Sequence, residues 1–275
     1  MIEDFTARLL ISDVDGTLLR TDKSLADATV WAVRRLTEAG LPMTLISARP
    51  PSGMLWIADA LNLDGPFGGF NGGTLFRRDG SVIARHCIEP AVAEAVVPLI
   101  LRAGATCWVF ADDQWLSSSA SDHHIPREIE SSRLDPVITQ DFGERLARAD
   151  KIIGVSDDHT LLAVLESTLQ AITGSRASVS RSQSYYLDIT APEANKGEGT
   201  RFLARAHDVP LGSVVVIGDQ ANDLPMFAEA GLSIAMGQAS DLVKSRATVS
   251  TVANDIDGVA RAIEDLILPM LGDRR

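Results

Sequence analysis

Short apolar runs alternate with amphipathic segments near the start of the chain. Residues 9–11 and 43–46 are uninterrupted runs of apolar or β-branched residues, which predict buried strands. Between them, apolar residues recur at helical spacing over residues 25–39, with Ser24 placed to cap this helix and Gly40 to end it. The chain therefore begins with a predicted strand–helix–strand unit.

The same alternation continues to residue 73 and returns after residue 189. Pro50-Pro51 opens a predicted helix over residues 52–61, and the glycine-rich residues 65–73 predict a third strand and a tight turn. The later elements are a helix over 197–207, a strand over 213–217, a helix over 222–230, a strand over 232–235 and a helix over 257–271. Strands that alternate with helices predict an α/β fold with a doubly wound, Rossmann-like parallel sheet.

The middle of the chain has a different pattern. It predicts a strand over 81–88, a helix over 90–103, a hairpin over 105–116, a strand over 151–155, a helix over 160–172 and a β-rich stretch over 177–190. The polar residues 117–141 predict no element. We therefore expect an α+β domain at residues 83–188, inserted into a larger domain formed by residues 1–82 and 189–275.

Composition and charge limit the partners that we expect. The 275 residues are 45% hydrophobic and carry a net charge of −12, and they contain no basic stripe, so a nucleic-acid partner is not expected. Cys87 and Cys107 are too few for a disulfide framework, which favours a reducing compartment. The first residues lack a signal-peptide pattern, and no apolar run is long enough to span a bilayer. We expect a cytoplasmic protein with no membrane partner, either a monomer or a homodimer.

Polar side chains lie at the predicted ends of the parallel strands. Asp13 and Asp15 are two positions apart after the first strand, so their side chains leave it on the same side. The other groups are Ser47, Arg49, Lys196, Asp219, Asn222 and Asp223. In open parallel sheets, ligands bind beyond the carboxyl ends of the strands. Clustered carboxylates suit Mg²⁺, whereas lysine, arginine and a hydroxyl suit a phosphate.

These residues also form four motifs of a known family. Asp13-x-Asp15-Gly16-Thr17-Leu18, Ser47, Lys196 and Gly218-Asp219-x-x-Asn222-Asp223 resemble the motifs of the haloacid dehalogenase-like (HAD) phosphatases. The last motif, the inserted α+β domain and Asn71-Gly72 resemble the Cof-type subfamily, whose members carry a type IIB cap. Ser47-Ala48-Arg49 departs from the more usual Thr-Gly-Arg but keeps the hydroxyl.

The resemblance implies a Mg²⁺-dependent phosphatase with two chemical steps. Asp13 would attack phosphorus and form an aspartyl-phosphate, and Asp15 would act first as general acid and then as general base. It implies that Mg²⁺ is held by Asp13, the backbone carbonyl of Asp15 and Asp219, with Asp223 orienting the metal's water shell or Lys196. Phosphate oxygens would be bound by Ser47, Lys196 and Asn222, and Arg49 is a further candidate for phosphate binding.

The resemblance favours a small phosphorylated metabolite as substrate, most often a sugar phosphate. Pyridoxal phosphate, flavin mononucleotide and phosphoglycerate-linked sugars are alternative substrates. A phosphomutase that acts on sugar phosphates is a second hypothesis, and a receiver-type signalling module is a third. The length of the chain and the Asp219–Asp223 motif argue against the receiver.

Several other residues have two interpretations. Arg49 either binds phosphate or forms an exposed ion pair, and Asn71 either contacts phosphate or holds its turn. Asp122-His123-His124 suggests a metal site, but no partner residue has suitable spacing, and a solvated loop is favoured. Trp108 and Trp115 are expected to pack in the hairpin, and the alternative for Trp115 is a contact with the substrate. The two cysteines are expected to be inert.

Overall fold

The computed structural model describes residues 5–271, which fall into two compact units. The first unit comprises the chain up to Ala48, Met54–Ile83 and the chain from Asn195 onward. The second comprises Arg49–Gly53 and Ala84–Ala194. The expectation that no signal peptide is present rests in part on the first four residues, which lie outside the described residues.

The described strands and helices are as follows. The strands are β1 Leu9–Ser12, β2 Met43–Leu45, β3 Phe67–Gly69, β4 Thr74–Phe76, β5 Val82–Arg85, β6 Thr106–Ala111, β7 Gln114–Ser117, β8 Val137–Ile138, β9 Ala149–Val155, β10 Ser178–Gln183, β11 Tyr186–Thr190, β12 Val214–Gly218, β13 Leu232–Ala235 and β14 Val249–Ser250. The helices are α1 Asp27–Glu38, α2 Ser52–Ala60, α3 Pro90–Arg102, α4 Ile125–Ser132, α5 His159–Thr173, α6 Lys196–Ala206, α7 Leu224–Glu229, α8 Asp241–Arg246, α9 Gly258–Arg261 and α10 Leu268–Met270. A π-helical segment, Ala262–Ile267, joins the last two.

A five-stranded parallel sheet forms the centre of the first unit. Its order is β14-β13-β12-β1-β2, so the chain runs outward from β1 in one direction and from β12 in the other. Ser12 is in register with Ile217, which aligns the ends of β1 and β12. The crevice at such a reversal of strand order is the usual ligand site of a doubly wound sheet.

Both faces of this sheet are buried. Leu10, Val215 and Ile217 belong to one apolar cluster together with side chains of α1 and α2. Leu9 and Ile11 are equally buried, and they point to the opposite face because side chains alternate along a strand. A parallel sheet covered on both faces confirms the predicted doubly wound α/β class.

The glycine-rich stretch differs from the prediction. It contains a strand, β3, but β3 pairs antiparallel with β4, and an isolated parallel bridge joins Gly68 of β3 to Ile46, just after β2. Asn71 has φ of +60° in the turn between β3 and β4. The apolar run alone does not distinguish these pairings, because a short buried strand looks the same in either kind of sheet.

The predicted cap of α1 is wrong. Ser24 lies before the helix and donates its hydroxyl to Asp22 at 2.6 Å, whereas the N-cap position is Ala26, which makes no side-chain cap hydrogen bond. Gly40 does end the helix, with φ of +79°. The short turn formed by residues 22–24 satisfies the serine hydroxyl locally.

The second unit contains a six-stranded sheet in the order β10-β11-β9-β6-β7-β8. All pairs are antiparallel except β7 with β8. One face packs against α3 and α5 around a single apolar cluster, which confirms an additional α+β unit. In the predicted hairpin, Trp115 is fully buried, lies 4.9 Å from Trp108 between ring centroids and stacks on Phe110. This geometry confirms the packing interpretation.

Two helices were not predicted. One is α4, within the polar stretch 117–141, and the other is α8, near the C-terminal end. Each is short, with 8 residues in α4 and 6 in α8, and has only one or two buried residues, so neither gives a periodic pattern over a long window. Across residues 5–271, no helix combines the length and apolarity required to cross a membrane.

Candidate active site

Three carboxylates converge where β1 and β12 end side by side. Asp13 follows β1, and Asp219 follows β12, with Asp223 in the 3-10 turn that comes next. One oxygen from each carboxylate lies within 4.8 Å of the other two, and all three residues are buried. Such a cluster is costly without positive charge, since like charges at this distance repel in a poorly solvated site.

Lys196 supplies one positive charge. Its ammonium lies 2.5 Å from Oδ1 of Asp13 and 2.6 Å from Oδ1 of Asp223. It is the first residue of α6, and Asn195 caps that helix by accepting the backbone N–H groups of Gly197 and Glu198. The prediction placed Lys196 just before the helix, and the cap explains how this first residue is directed at the carboxylates.

Asp223 is held by a set of local hydrogen bonds. Its Oδ2 accepts the backbone N–H of Asp219 at 2.7 Å and of Gln220 at 2.8 Å, while Oδ1 accepts Lys196. A β-carbon on Gly218 would lie 2.4 Å from the carboxyl carbon of Asp223, so this position requires glycine. Asp223 is thus suited to orient Lys196 and the Asp219 backbone.

Asp219 is oriented by two further donors. Thr17 donates its hydroxyl to Oδ1, and Gln220 donates its side-chain amide to Oδ2, both at 3.0 Å. Gly16 makes the sharp turn after Asp15 with φ of +78°, and a β-carbon there would lie 2.5 Å from Asp219 Oδ2. Gly16 and Thr17 of the first motif therefore contact and orient the carboxylate of Asp219 in the last motif.

The charges of this cluster do not balance. Burial raises the pKa of Asp13 well above its usual range; Lys196 opposes that rise, and Asp223 and Asp219 add to it. Burial likewise raises the pKa of Asp219, and the nearby charge of Asp223 adds to this. Burial lowers the pKa of Lys196, but Asp13 and Asp223 outweigh burial, and the net pKa is raised. With all groups ionised, three carboxylates and one ammonium leave two negative charges, which fits a hard divalent cation such as Mg²⁺.

Asp15 lies in a more exposed position. About a third of its side chain is exposed, and Oδ1 accepts the ammonium of Lys23 at 2.7 Å. Asp15 and Asp13 therefore occupy unlike environments although they are two residues apart. That difference suits one buried group and one group that exchanges protons.

Ser47, Asn71 and Asn222 form a second part of the site. The backbone N–H of Asn71 donates to the carbonyl of Ser47 at 2.6 Å, and the Asn222 amide donates to Oδ1 of Asn71 at 3.1 Å. Gly72 has φ of +90°, and a β-carbon there would lie 2.7 Å from Cα of Gly199. This close approach allows the turn to pack against the first turn of α6, the helix that carries Lys196.

Arg49 is the remaining residue that the sequence predicted to bind phosphate. It groups with the second unit, is only 4% exposed, and donates to the carbonyl of Gly53 at 3.2 Å. The exposed setting that one interpretation gave Arg49 is therefore wrong, because the residue is buried. Its binding of phosphate stays a prediction.

Several site residues were missed by sequence reasoning. Lys23, Gln220 and Gly199 were not singled out, and Thr17 and Asn195 received no role. The one local signal for Gly199 was a glycine near the start of the helix predicted over residues 197–207, where glycine is unfavourable. Lys23 and Gln220 carry no local signal, because their partners are defined only by folding.

Comparisons with known proteins identify the family of this chain. A family model described as haloacid dehalogenase-like hydrolase matches residues 10–263. An HMP-PP phosphatase from Enterobacter sp. (strain 638) is 28% identical over 235 residues, which cover 85% of each chain. A 5-amino-6-(5-phospho-D-ribitylamino)uracil phosphatase from Bacillus subtilis is 25% identical over 277 residues, covering 93% of this chain and 96% of the relative.

A solved structure is similar over almost the whole chain. It is a haloacid dehalogenase-like hydrolase from Bacteroides thetaiotaomicron, 26% identical, with a TM-score of 0.87 over 95% of this chain and 100% of the other. The family-model match, over residues 10–263, includes every motif at the ends of β1 and β12. This chain therefore belongs to the haloacid dehalogenase-like hydrolases, as a Cof-type phosphatase that hydrolyses phosphoric monoesters.

Proposed function

We propose that this protein is a Mg²⁺-dependent phosphatase of a small phosphorylated metabolite, with a sugar phosphate as the preferred class of substrate. The observation that carries the proposal is the buried contact of Lys196 with both Asp13 and Asp223, next to Asp219. In this arrangement, Asp13 offers a carboxylate oxygen that is fixed in place, and Lys196 offers an ammonium that a phosphate oxygen can also contact. The excess negative charge of the three carboxylates is suited to bind a metal ion.

In the first step, a carboxylate oxygen of Asp13 attacks phosphorus, and the bond from phosphorus to the ester oxygen breaks. Asp15 donates a proton to that leaving oxygen, so the alcohol is released neutral. In the second step, a water oxygen attacks the phosphorus of the aspartyl-phosphate, and the bond to Asp13 breaks. Asp15 takes the proton from water, which returns both carboxyls to their starting states.

The other residues bind and orient. Asp13, Asp219 and the backbone carbonyl of Asp15 would hold Mg²⁺, and Asp223 would keep Lys196 directed at Asp13. Bound Mg²⁺ would neutralise charge on the transferring phosphoryl group. Lys196, Ser47 and Asn222 would bind phosphate oxygens, with Asn71 holding Asn222 by its amide contact. Arg49 remains a candidate on the second unit.

The names of relatives support a small substrate. The Enterobacter and Bacillus relatives are named as phosphatases of HMP-PP and of a phosphoribitylaminouracil. They favour a second candidate substrate class, the phosphate ester of a heterocyclic cofactor or its precursor. We propose that residues 83–188 act as the specificity cap, and that the protein is cytoplasmic with neither nucleic acid nor membrane as partner.

A panel of phosphate esters tests the proposal. Free phosphate would be measured for sugar phosphates, pyridoxal phosphate and flavin mononucleotide, in Mg²⁺ and in chelator. Asp13→Asn should abolish turnover, whereas Asp64→Asn, at a side chain that is 98% exposed, should not change it. An active Asp13→Asn variant would refute the nucleophile. Conversion of a sugar 1-phosphate to the 6-phosphate without free phosphate would identify a mutase instead.

A further inference from the structure

We propose that the second unit contains a binding site for a zinc-like divalent ion, formed by Asp122, His123, His124 and Asp157. These four residues are called the His123–His124 cluster below. The sequence offered no partner for the Asp122–His124 triplet, but folding supplies one. Asp157, in the loop between β9 and α5, lies beside His124, the N-cap residue of α4.

The distances within the cluster suit shared coordination. Nε2 of His124 lies 3.0 Å from Oδ1 of Asp157, and Nε2 of His123 lies 3.3 Å from Oδ2 of the same carboxylate. One donor atom each from Asp122, His123 and His124 lies within 4.8 Å of the other two. Tetrahedral zinc with bonds of ~2.0–2.1 Å separates its ligand atoms by ~3.3 Å, and the two distances from imidazole Nε2 to Asp157 oxygens are close to this value.

Aromatic stacking holds the imidazoles in this arrangement. The ring of His124 stacks on Tyr185 with centroids 4.0 Å apart and planes 12° apart, and its other neighbour, His123, also lies at 4.0 Å. Oδ1 of Asp122 accepts the backbone N–H of His124 at 2.9 Å, which fixes the turn before α4. A site whose ligands are already oriented loses less conformational entropy when the ion binds.

The donor set indicates which ion is preferred. Two imidazoles with two carboxylates favour Zn²⁺ or a neighbouring transition metal over Mg²⁺, which prefers oxygen donors alone. Two carboxylates, two neutral imidazoles and a divalent ion sum to zero charge. His123 and Asp157 are largely exposed, at 68% and 63% of their side chains, so the ion can enter from solvent.

Nitrogen NMR of the imidazoles tests the site directly. Zn²⁺ would be added to ¹⁵N-labelled full-length protein in excess Mg²⁺, which occupies the oxygen-rich cluster of Asp13. The chain has five histidines. We expect the Nε2 resonances of His123 and His124 to shift with one equivalent of Zn²⁺, and those of His86, His159 and His207 to stay in place.

The affinity of the site for Zn²⁺ would be measured in the wild type and in variants, by competition with a chromophoric chelator. His124→Ala and Asp157→Asn should each weaken Zn²⁺ binding about tenfold or more, while His159→Ala, an exposed histidine at the start of α5, should bind as the wild type does. The site is refuted if the wild-type imidazole resonances do not move, or if both variants keep wild-type affinity. In either case the cluster is an ion-paired stack only. The NMR result stands even if His124→Ala fails to fold.

Discussion

Lys196→Met is the sharpest test of the charge arrangement in the active site. Methionine has a similar length but no charge, so the change leaves Asp13 and Asp223 without the ammonium that lies 2.5 and 2.6 Å from them. Removing one partner of a buried ion pair costs about 3–5 kcal/mol. The folded variant can limit this cost, because one carboxyl can take up a proton instead of staying ionised.

The cost of that protonation sets the expected magnitude. Holding a carboxyl with an unfolded pKa near 3.9 in its protonated form at pH 7 costs about 4 kcal/mol, and about 1.4 kcal/mol less for each unit by which the pH is lowered. Asp13 already has a raised pKa because it is buried, and loss of Lys196 raises it further. Because the wild type already bears part of this cost, the destabilisation should be at most about 4 kcal/mol at pH 7 and should shrink toward pH 5.

Urea unfolding in the presence of chelator, at several pH values, would measure this. Lys244→Met serves as the matched control, because Lys244 lies in the last turn of α8 and is not among the described residues that form an ion pair with the carboxylate cluster. Its free energy of unfolding should stay within about 0.5 kcal/mol of the wild type. A Lys196→Met protein as stable as the wild type at pH 7, or a deficit that does not change with pH, would refute the reasoning.

Three further predictions concern the same site. Without Mg²⁺, the wild type should become less stable as pH rises from about 4 toward neutrality. The reason is that the raised pKa values of Asp13 and Asp219 make the folded state bind more protons than the unfolded state. In thermal melts, saturating Mg²⁺ should flatten this dependence of stability on pH. Gly16→Ala should lower the free energy of unfolding by about 1–2 kcal/mol or more, because φ is +78° and the new β-carbon would meet Asp219. It should also weaken Mg²⁺ binding, measured calorimetrically. The control Gly212→Ala, whose β-carbon would have nothing within 4 Å, should leave both quantities unchanged. Asp15→Asn should reduce kcat/KM for alkyl phosphates about 10²–10⁴-fold and reduce it much less for p-nitrophenyl phosphate, whose leaving group needs no proton; equal losses for both esters would contradict a general-acid role.

Part of the fold followed from local pattern. The buried runs before Asp13 and Asp219 are strongly apolar, and both are strands in the structure. The antiparallel pairing of β3 and the absence of a Ser24 cap were not predictable in the same way. Both depend on which neighbour a short segment meets, and short segments carry too few residues to specify that partner.

For the active site, the residue pattern was enough to predict which side chains lie at the strand ends. A carboxylate directly after a buried parallel strand must lie at the carboxyl edge of the sheet, and this holds for Asp13 and Asp219 alike. Folding brings Lys196, which is 183 residues from Asp13, between Asp13 and Asp223, and it pairs Lys23 with Asp15. It also brings Asp157 to two imidazoles from residues 33 and 34 positions earlier. Local periodicity places a side chain on a face or at an end, whereas the distance between two side chains depends on how separate elements pack.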